Sequence, residues 1–133
     1  MGNLYDFTLK TGKSGFYNIT KDVQSAVKES GVEHGIALIF CPHTTAAITL
    51  TENTDPAVGL DLIDGMSAAF PESEDFRHIE GNSHAYLQSC NMGVHLPIII
   101  DDGWLLLGVW QNIFFVEFDG PRERTFYVKV IEC

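Results

Sequence analysis

Residues 94–131 read VHLPIIIDDGWLLLGVWQNIFFVEFDGPRERTFYVKVI, and this stretch decides the fold. β-Branched and aromatic residues dominate it, and turn residues cut it twice, at Asp101-Asp102-Gly103 and at Asp119-Gly120-Pro121. It predicts strands over residues 94–100, over 104–117 with a kink at Gly108, and over 124–131. Three strands in succession do not alternate with helices, which argues against a doubly wound nucleotide fold. Further upstream, residues 35–40 are apolar on both faces, as a covered strand requires, and Ala46, Ile48 and Leu50 alternate with Ala47, Thr49 and Thr51. At the start, Tyr5, Phe7 and Leu9 alternate with Asp6 and Thr8. A turn at residues 11–15 then leads to a second short strand over 16–19, so this segment reads as a hairpin.

Helices interrupt the strands at three places. Thr20 offers an N-cap, Val23, Ala26 and Val27 follow at helical spacing, and Gly31 is placed to end a helix over about 21–30. Asp55-Pro56 starts a second helix, whose Val58, Leu62, Met66 and Ala69 share one face while Asp61 and Asp64 share the other. A shorter helix over 83–90 would bury Ala85 and Leu87. The expected fold is α+β, a mostly antiparallel β-sandwich-like core with two to three helices in one domain over residues 1–133.

Composition narrows the function. Hydrophobic residues make up 45% and charged residues 20% of the 133, the balance of a globular domain. Eighteen acidic against eight basic residues give a formal charge of −10, which disfavours nucleic acid as a partner because phosphate-backbone binders rely on Lys and Arg. No run reaches the roughly 18 apolar residues of a membrane span, and the first residues lack the order of a signal peptide, so no membrane association and a cytoplasmic location are expected. The three cysteines form no CxxC pair and suit a reduced compartment, with Cys41 and Cys90 expected to be small buried hydrophobes. GxGxxG, GxxxxGK[ST], GxSxG and HExxH motifs are all absent.

The polar residues that could carry chemistry are few. His43 leaves a covered strand together with Thr44 and Thr45, as a site edge would, although a histidine there also serves as a hydrogen-bonding cap. His78 and His84 flank Glu80, Gly81, Asn82 and Ser83 in the longest polar stretch. With Glu52 or Asp64 these three histidines could ligate Zn²⁺, and the carboxylates alone could hold Mg²⁺. Arg122 and Arg124 stand out in an acidic chain as phosphate-gripping side chains, with pairing to Glu117, Asp119 or Glu123 as the alternative. Trp110 is read as core, and Gln111, on the other side of that strand, needs a partner.

Cys41-Pro42-His43-Thr44-Thr45-Ala46, then Thr51-Glu52-Asn53 with Asp55-Pro56, then His78-Ile79-Glu80-Gly81-Asn82, then Leu107-Gly108-Val109-Trp110-Gln111 with Asp119-Gly120-Pro121-Arg122, resemble the YjbQ-like family. The match runs over nearly the whole chain. The resemblance implies a homotrimer with sites near subunit boundaries and a thiamine-phosphate synthase activity, joining an aminopyrimidine diphosphate to a thiazole phosphate with release of pyrophosphate. Position by position it points to His43, Asn53 and Asp64 as catalytic residues. Thr44, Thr45, Asn82, Gln111 and Arg122, with Arg124 beside them, would bind a small phosphorylated substrate, and His43, His78, His84 and Glu52 would hold a divalent metal, Mg²⁺ or Zn²⁺. Three positions depart from the family pattern: His84-Ala85-Tyr86 stands for His-Ala-His, Val109 for the threonine before Trp-Gln, and His95 for a small hydroxyl residue. In the expected trimer, His43 and Glu52 of one chain meet the 78–84 loop or Arg122 of its neighbour. The competing expectation is a metal- or small-ligand-binding protein without catalysis; a third is a hydrolase using metal-activated water, which requires the three histidines to converge.

Overall fold

The computed structural model describes residues 2–133. Eleven elements follow in order: β1 (Leu4–Lys10), β2 (Gly15–Asn18), α1 (Thr20–Ser30), β3 (Gly35–Phe40), β4 (Ala46–Glu52), α2 (Pro56–Ala69), α3 (Ser83–Met92), β5 (His95–Asp101), β6 (Trp104–Leu105), β7 (Gln111–Glu117) and β8 (Glu123–Glu132). They build two sheets, one ordered β1-β8-β3-β5-β6 and the other β2-β7-β4, with every strand pair antiparallel. The α+β reading with a sandwich-like core and three helices holds.

The burial pattern explains the layers. β8 alternates, turning Arg124, Phe126, Val128 and Val130 inward. In β7 the residues from Ile113 to Glu117 are all buried, because the smaller sheet is covered on both faces. On one side Ile113 and Phe115 join Ile39, Phe126, Val128 and the α1 residues Val23, Ala26 and Val27 in the main core. On the other side Phe114 and Val116 join Ala47, Ala85 and Phe118, with Ile63 and Met66 of α2 packed against them.

Several local readings change. The first two strands form no hairpin: β1 pairs with β8 and β2 with β7, so the turn at residues 11–15 carries the chain from one sheet to the other. The run 104–117 is two strands, since the segment between β6 and β7 loops out and leaves Trp110, expected in the core, 58% exposed. Thr20 does not cap α1: the N-cap position is Ile19, without a side-chain cap, Asn18 Oδ1 accepts the Thr20 N–H at 3.0 Å, and the Thr20 hydroxyl accepts the Ile113 N–H at 2.8 Å. α2 is capped as expected, Asp55 Oδ1 accepting the Ala57 N–H at 2.9 Å, yet none of its residues is fully buried and Ala69 is exposed. α3 runs two residues further than read and exposes Leu87, burying Gln88 and Ser89 in its place. Those two are polar and hydrogen-bonded: Gln88 Nε2 donates to the Phe70 carbonyl at 3.0 Å, and the Ser89 hydroxyl to that of Ala46 at 2.6 Å. Cys41 is buried as expected, but Cys90 is exposed on α3.

The turn after β7 requires its glycine. A Cβ on Gly120 would stand 1.8 Å from the Gly12 carbonyl oxygen, and the Gly120 N–H donates to Lys13 O at 2.9 Å. This close approach locks the Asp119-Gly120-Pro121 turn, whose Gly120–Pro121 bond is cis, against the 11–15 turn and delivers Arg122 and Arg124 to one end of the sandwich.

Candidate phosphate-binding pocket

β3 leaves its ladder with β8 at the Phe40–Tyr127 pair, and two residues further on Pro42, which has no N–H, would face Thr125. The His43 ring takes that place. Its Nε2 lies 3.0 Å from both the amide nitrogen and the carbonyl oxygen of Thr125, and according to the tautomer this one nitrogen accepts from the first or donates to the second, taking half the part of a missing strand residue. Burial pushes its pKa below the ordinary 6.5, and the nearby Arg124 guanidinium adds to the effect. The ring is therefore neutral at pH 7. In the unfolded chain the same ring binds its proton at about 6.5, so stability is full above that pH and falls as the pH drops from there toward the lower folded value. Urea unfolding between pH 7 and pH 5 is expected to show a steeper loss for the native chain than for His43→Gln. Equal slopes would show that His43 does not titrate in this window.

Beside His43 lies a buried charge pair. Arg124 Nε donates to Glu117 Oε1 at 2.7 Å and Nη2 to Oε2, and both side chains are almost wholly buried. The carboxylate also accepts the Thr11 hydroxyl at 2.6 Å and the Asp119 N–H at 3.0 Å. Burial raises the Glu117 pKa, but these hydrogen bonds outweigh it and hold the carboxyl below its ordinary value. Arg124 Nη2 further donates to the Thr45 hydroxyl at 2.8 Å. Among the described residues no hydrogen bond engages its other amino nitrogen, Nη1. Arg122 is half exposed and fixed by Asp119, with Nε donating to the Asp119 carbonyl at 2.8 Å and Nη2 to Oδ2 at 3.0 Å. Asn82 Nδ2 donates to the same Asp119 oxygen at 2.9 Å, which leaves Asn82 Oδ1 buried without a partner. Asp119 is desolvated, yet Asn82 and Arg122 together keep its pKa lowered.

These side chains surround a cavity of about 300 Å³ in which His43, Thr44, Thr45, Asn82, Arg122 and Arg124 come together, with Glu80 and Tyr86 on its wall. Six of the expected residues thus meet within one chain, without a neighbour supplying Arg122 or Asn82. Others lie elsewhere. Glu52, Asn53 and Asp64 line a separate groove of about 310 Å³ between α2 and the smaller sheet, floored by Phe16 and Phe114. His84 lines a third cavity with Glu72, its Nε2 3.6 Å from Glu72 Oε1, and its Nδ1 is buried without a partner. His78 is exposed, 4.0 Å from Glu80 and edge-on to Tyr86. Gln111 is exposed and accepts the Gly108 N–H at 2.9 Å, holding the loop before β7. His95 faces Phe40 on the outside of the larger sheet.

The four expected metal ligands, His43, His78, His84 and Glu52, therefore do not form one ligand set within a chain, and the three histidines do not converge. Among the described residues the metal-type side chains that gather are His34, just before β3, and Asp101 and Asp102 at the β5–β6 turn, all exposed. Sequence reading took Asp101 and Asp102 only as turn residues. It also missed Thr11, since nothing in the order Thr-Gly-Lys-Ser-Gly marks a buried hydroxyl. Glu117, an acid inside the run Ile-Phe-Phe-Val-Glu-Phe, was read as a possible partner of the arginines, and it is the partner of Arg124, as Asp119 is of Arg122.

The model of the family described as UPF0047 protein YjbQ-like matches residues 5–133. The chain belongs to the YjbQ-like family. Among YjbQ-like relatives, the UPF0047 protein MJ1081 of Methanocaldococcus jannaschii is 50% identical over 129 residues, covering 96% of this chain and 94% of that one. YugU of Bacillus subtilis is 44% identical, covering 91% and 92%. A crystal structure of an uncharacterised YjbQ/UPF0047 protein from Clostridium acetobutylicum superposes with a TM-score of 0.93 at 49% identity, over 96% of this chain and 99% of that one. A YjbQ-like fold from Sulfolobus solfataricus, described as of unknown function, superposes with a TM-score of 0.93 at 34% identity, over 98% and 96%. Among the described residues no helix is long and apolar enough to cross a membrane.

Proposed function

We propose that the pocket at the Arg122–Arg124 end of the sandwich binds a phosphorylated small molecule, and that the chain is a transferase of the thiamine-phosphate synthase type. One observation carries the reading: two guanidinium groups, each oriented by its own carboxylate, line the same cavity as the hydroxyls of Thr44 and Thr45. Planar donor forks set in place beforehand suit phosphate oxygens. In the reaction the thiazole nitrogen forms a bond to the aminopyrimidine methylene while the methylene–oxygen bond to the diphosphate breaks, and the electron pair leaves with pyrophosphate. Such a step needs donors aimed at the departing oxyanion more than it needs a protein nucleophile. Arg122 is suited to that role, with the uncommitted Nη1 of Arg124 behind it. The neutral His43 sits beside them without adding charge, and the unpartnered Asn82 Oδ1 is an acceptor for a ligand amino group.

Assembly as a homotrimer belongs to the same proposal. The outer face of the larger sheet carries Phe40, Ile99 and Ile131 exposed on three adjacent strands, an apolar surface that subunit contact would cover. Light scattering is expected to give about three times the 14.8 kDa chain mass.

The direct test is turnover of the two substrates at micromolar protein, followed as pyrophosphate release, beside calorimetry with thiazole phosphate alone. Release that scales with protein supports the transferase. Binding without release favours a ligand-binding protein, and the absence of both binding and release overturns the phosphate reading.

A further inference from the structure

At the end of β3 away from the phosphate-binding pocket, a histidine meets two carboxylates. β3 runs from Gly35 to Phe40, so the two places stand roughly 20 Å apart along one strand. His34 immediately precedes it, with Nδ1 3.3 Å from Asp101 Oδ1 and Nε2 3.6 Å from Asp102 Oδ1. From this cluster we infer a second site, independent of the phosphate reading, that binds a divalent transition-metal ion of the Zn²⁺ type.

The ligand set selects the class of ion. Mg²⁺ and Ca²⁺ take oxygen ligands, whereas one imidazole with two carboxylates is a mixed nitrogen–oxygen set that suits Zn²⁺. Bonds of about 2.1 Å in a tetrahedral arrangement separate neighbouring ligand atoms by roughly 3.4 Å, and the two separations here bracket that value. A single ion uses one ring nitrogen, and one ligand atom from each of the three residues lies within 4.8 Å of the others. The side chains of His34, Asp101 and Asp102 are 59%, 62% and 85% exposed, so they close around an ion by rotation without repacking a neighbour.

The main chain beneath them is fixed. Gly35 pairs with Ile100 on one side and Glu132 on the other, the His34 carbonyl accepts the Cys133 N–H at 3.2 Å, and the Gly103 N–H donates to the Glu33 carbonyl at 2.9 Å. Gln24 of α1 holds the turn as well, donating to the Gly103 carbonyl and accepting the Leu105 N–H, each at 3.0 Å. Ligands set on rigid elements lose little order on binding. Turn chemistry accounts for only part of the cluster: Asp102 and Gly103 have φ of +50° and +82°, as a two-residue hairpin loop requires, but this asks for neither Asp101 nor His34. Asp102 also lines a cavity of about 240 Å³ with Lys28, Glu33 and Trp104, so coordination positions left open by the protein face a space wide enough for water or a small ligand.

Zn²⁺ and Mg²⁺ serve as probes, titrated by calorimetry into the untagged chain after chelator treatment. Exposed thiols also take up Zn²⁺, so the chain carries Cys90→Ser and Cys133→Ser. One Zn²⁺ per chain is expected to bind, with Mg²⁺ far weaker. His34→Gln and Asp101→Asn are each expected to weaken Zn²⁺ binding at least about tenfold, because losing a partner one layer outside the ligands already costs roughly 10–100-fold. All three side chains are exposed, so without metal these variants should unfold in urea at the same midpoint as the parent chain. Zn²⁺ should then raise the midpoint of the parent and not that of His34→Gln, a readout independent of any turnover. His84→Gln, at the third cavity, is expected to leave Zn²⁺ binding unchanged. Zn²⁺ binding that His34→Gln leaves intact would overturn the site. So would the absence of binding, or Mg²⁺ binding as tightly as Zn²⁺, which marks an acidic patch and no more.

Discussion

Glu117→Ala is expected to cost the fold about 3–5 kcal/mol, the scale seen when one partner of a buried ion pair is removed. Arg124 cannot respond by releasing its proton, so its charge stays inside the sandwich without a counterion. The Thr11 hydroxyl and the Asp119 N–H lose their acceptor in the same step. Removing both charges, as in Glu117→Met with Arg124→Met, is expected to be milder than the single change, because no orphaned ion remains. Urea denaturation of the three chains decides this, and a double variant weaker than Glu117→Ala would show that the pair contributes net stability. The pH dependence has a definite sign. The folded Glu117 carboxyl has a pKa below its ordinary 4.5, so its contribution is present above that value and lost as the pH falls through the folded one. The gap between the native chain and Glu117→Ala should close in acid.

Arg122→Ala is expected to lower kcat/KM by about a hundredfold to a thousandfold, the scale for losing a charge-stabilising donor, while leaving the fold intact. The two effects separate because Arg122 is half exposed. Its pair with Asp119 is a surface one worth roughly 1 kcal/mol or less, and Asp119 keeps its bond from Asn82. Arg122→Lys retains the charge but not the planar fork, and is expected to recover only part of the loss. Calorimetry with thiazole phosphate beside the rate assay distinguishes binding from chemistry. An unchanged rate and affinity in Arg122→Ala would remove this residue from the phosphate site.

Much of the architecture was legible because burial is periodic. The alternation in residues 124–131 and the caps at Gly31 and Asp55 each state a local rule that the structure obeys, whereas 46–48 are buried on both faces and break the alternation read there. Pairing was less legible. A short turn between Leu9 and Phe16 suits a hairpin, and nothing local says that β1 finds its partner more than a hundred residues away in β8. Of the candidate site, His43, Thr44, Thr45, Asn82, Arg122 and Arg124 meet because β3, α3 and the turn before β8 end at one place. Of the residues that hold them, Thr11 reaches Glu117 across 106 positions, whereas Glu117 lies only seven from Arg124 and is one of the partners the sequence offered. Trp110 shows the opposite failure, since hydrophobicity alone placed in the core a side chain that the loop holds outside.

β8 lies between β1 and β3, contributes Phe126, Val128 and Val130 to the core, and supplies both Thr125 for His43 and Arg124 for Glu117. A ribosome adding roughly 5–20 residues each second completes β8 on the order of 10 s after β3. Through that interval β1 has no ladder to join and β3 has only β5, and Ile39 and Phe7 have no Phe126 or Val128 to pack against. The apolar face of β1 therefore stays without a sheet partner until β8 inserts. Insertion zips the larger sheet and assembles the pocket in one event, so molecules truncated before β8 would carry no partly working site.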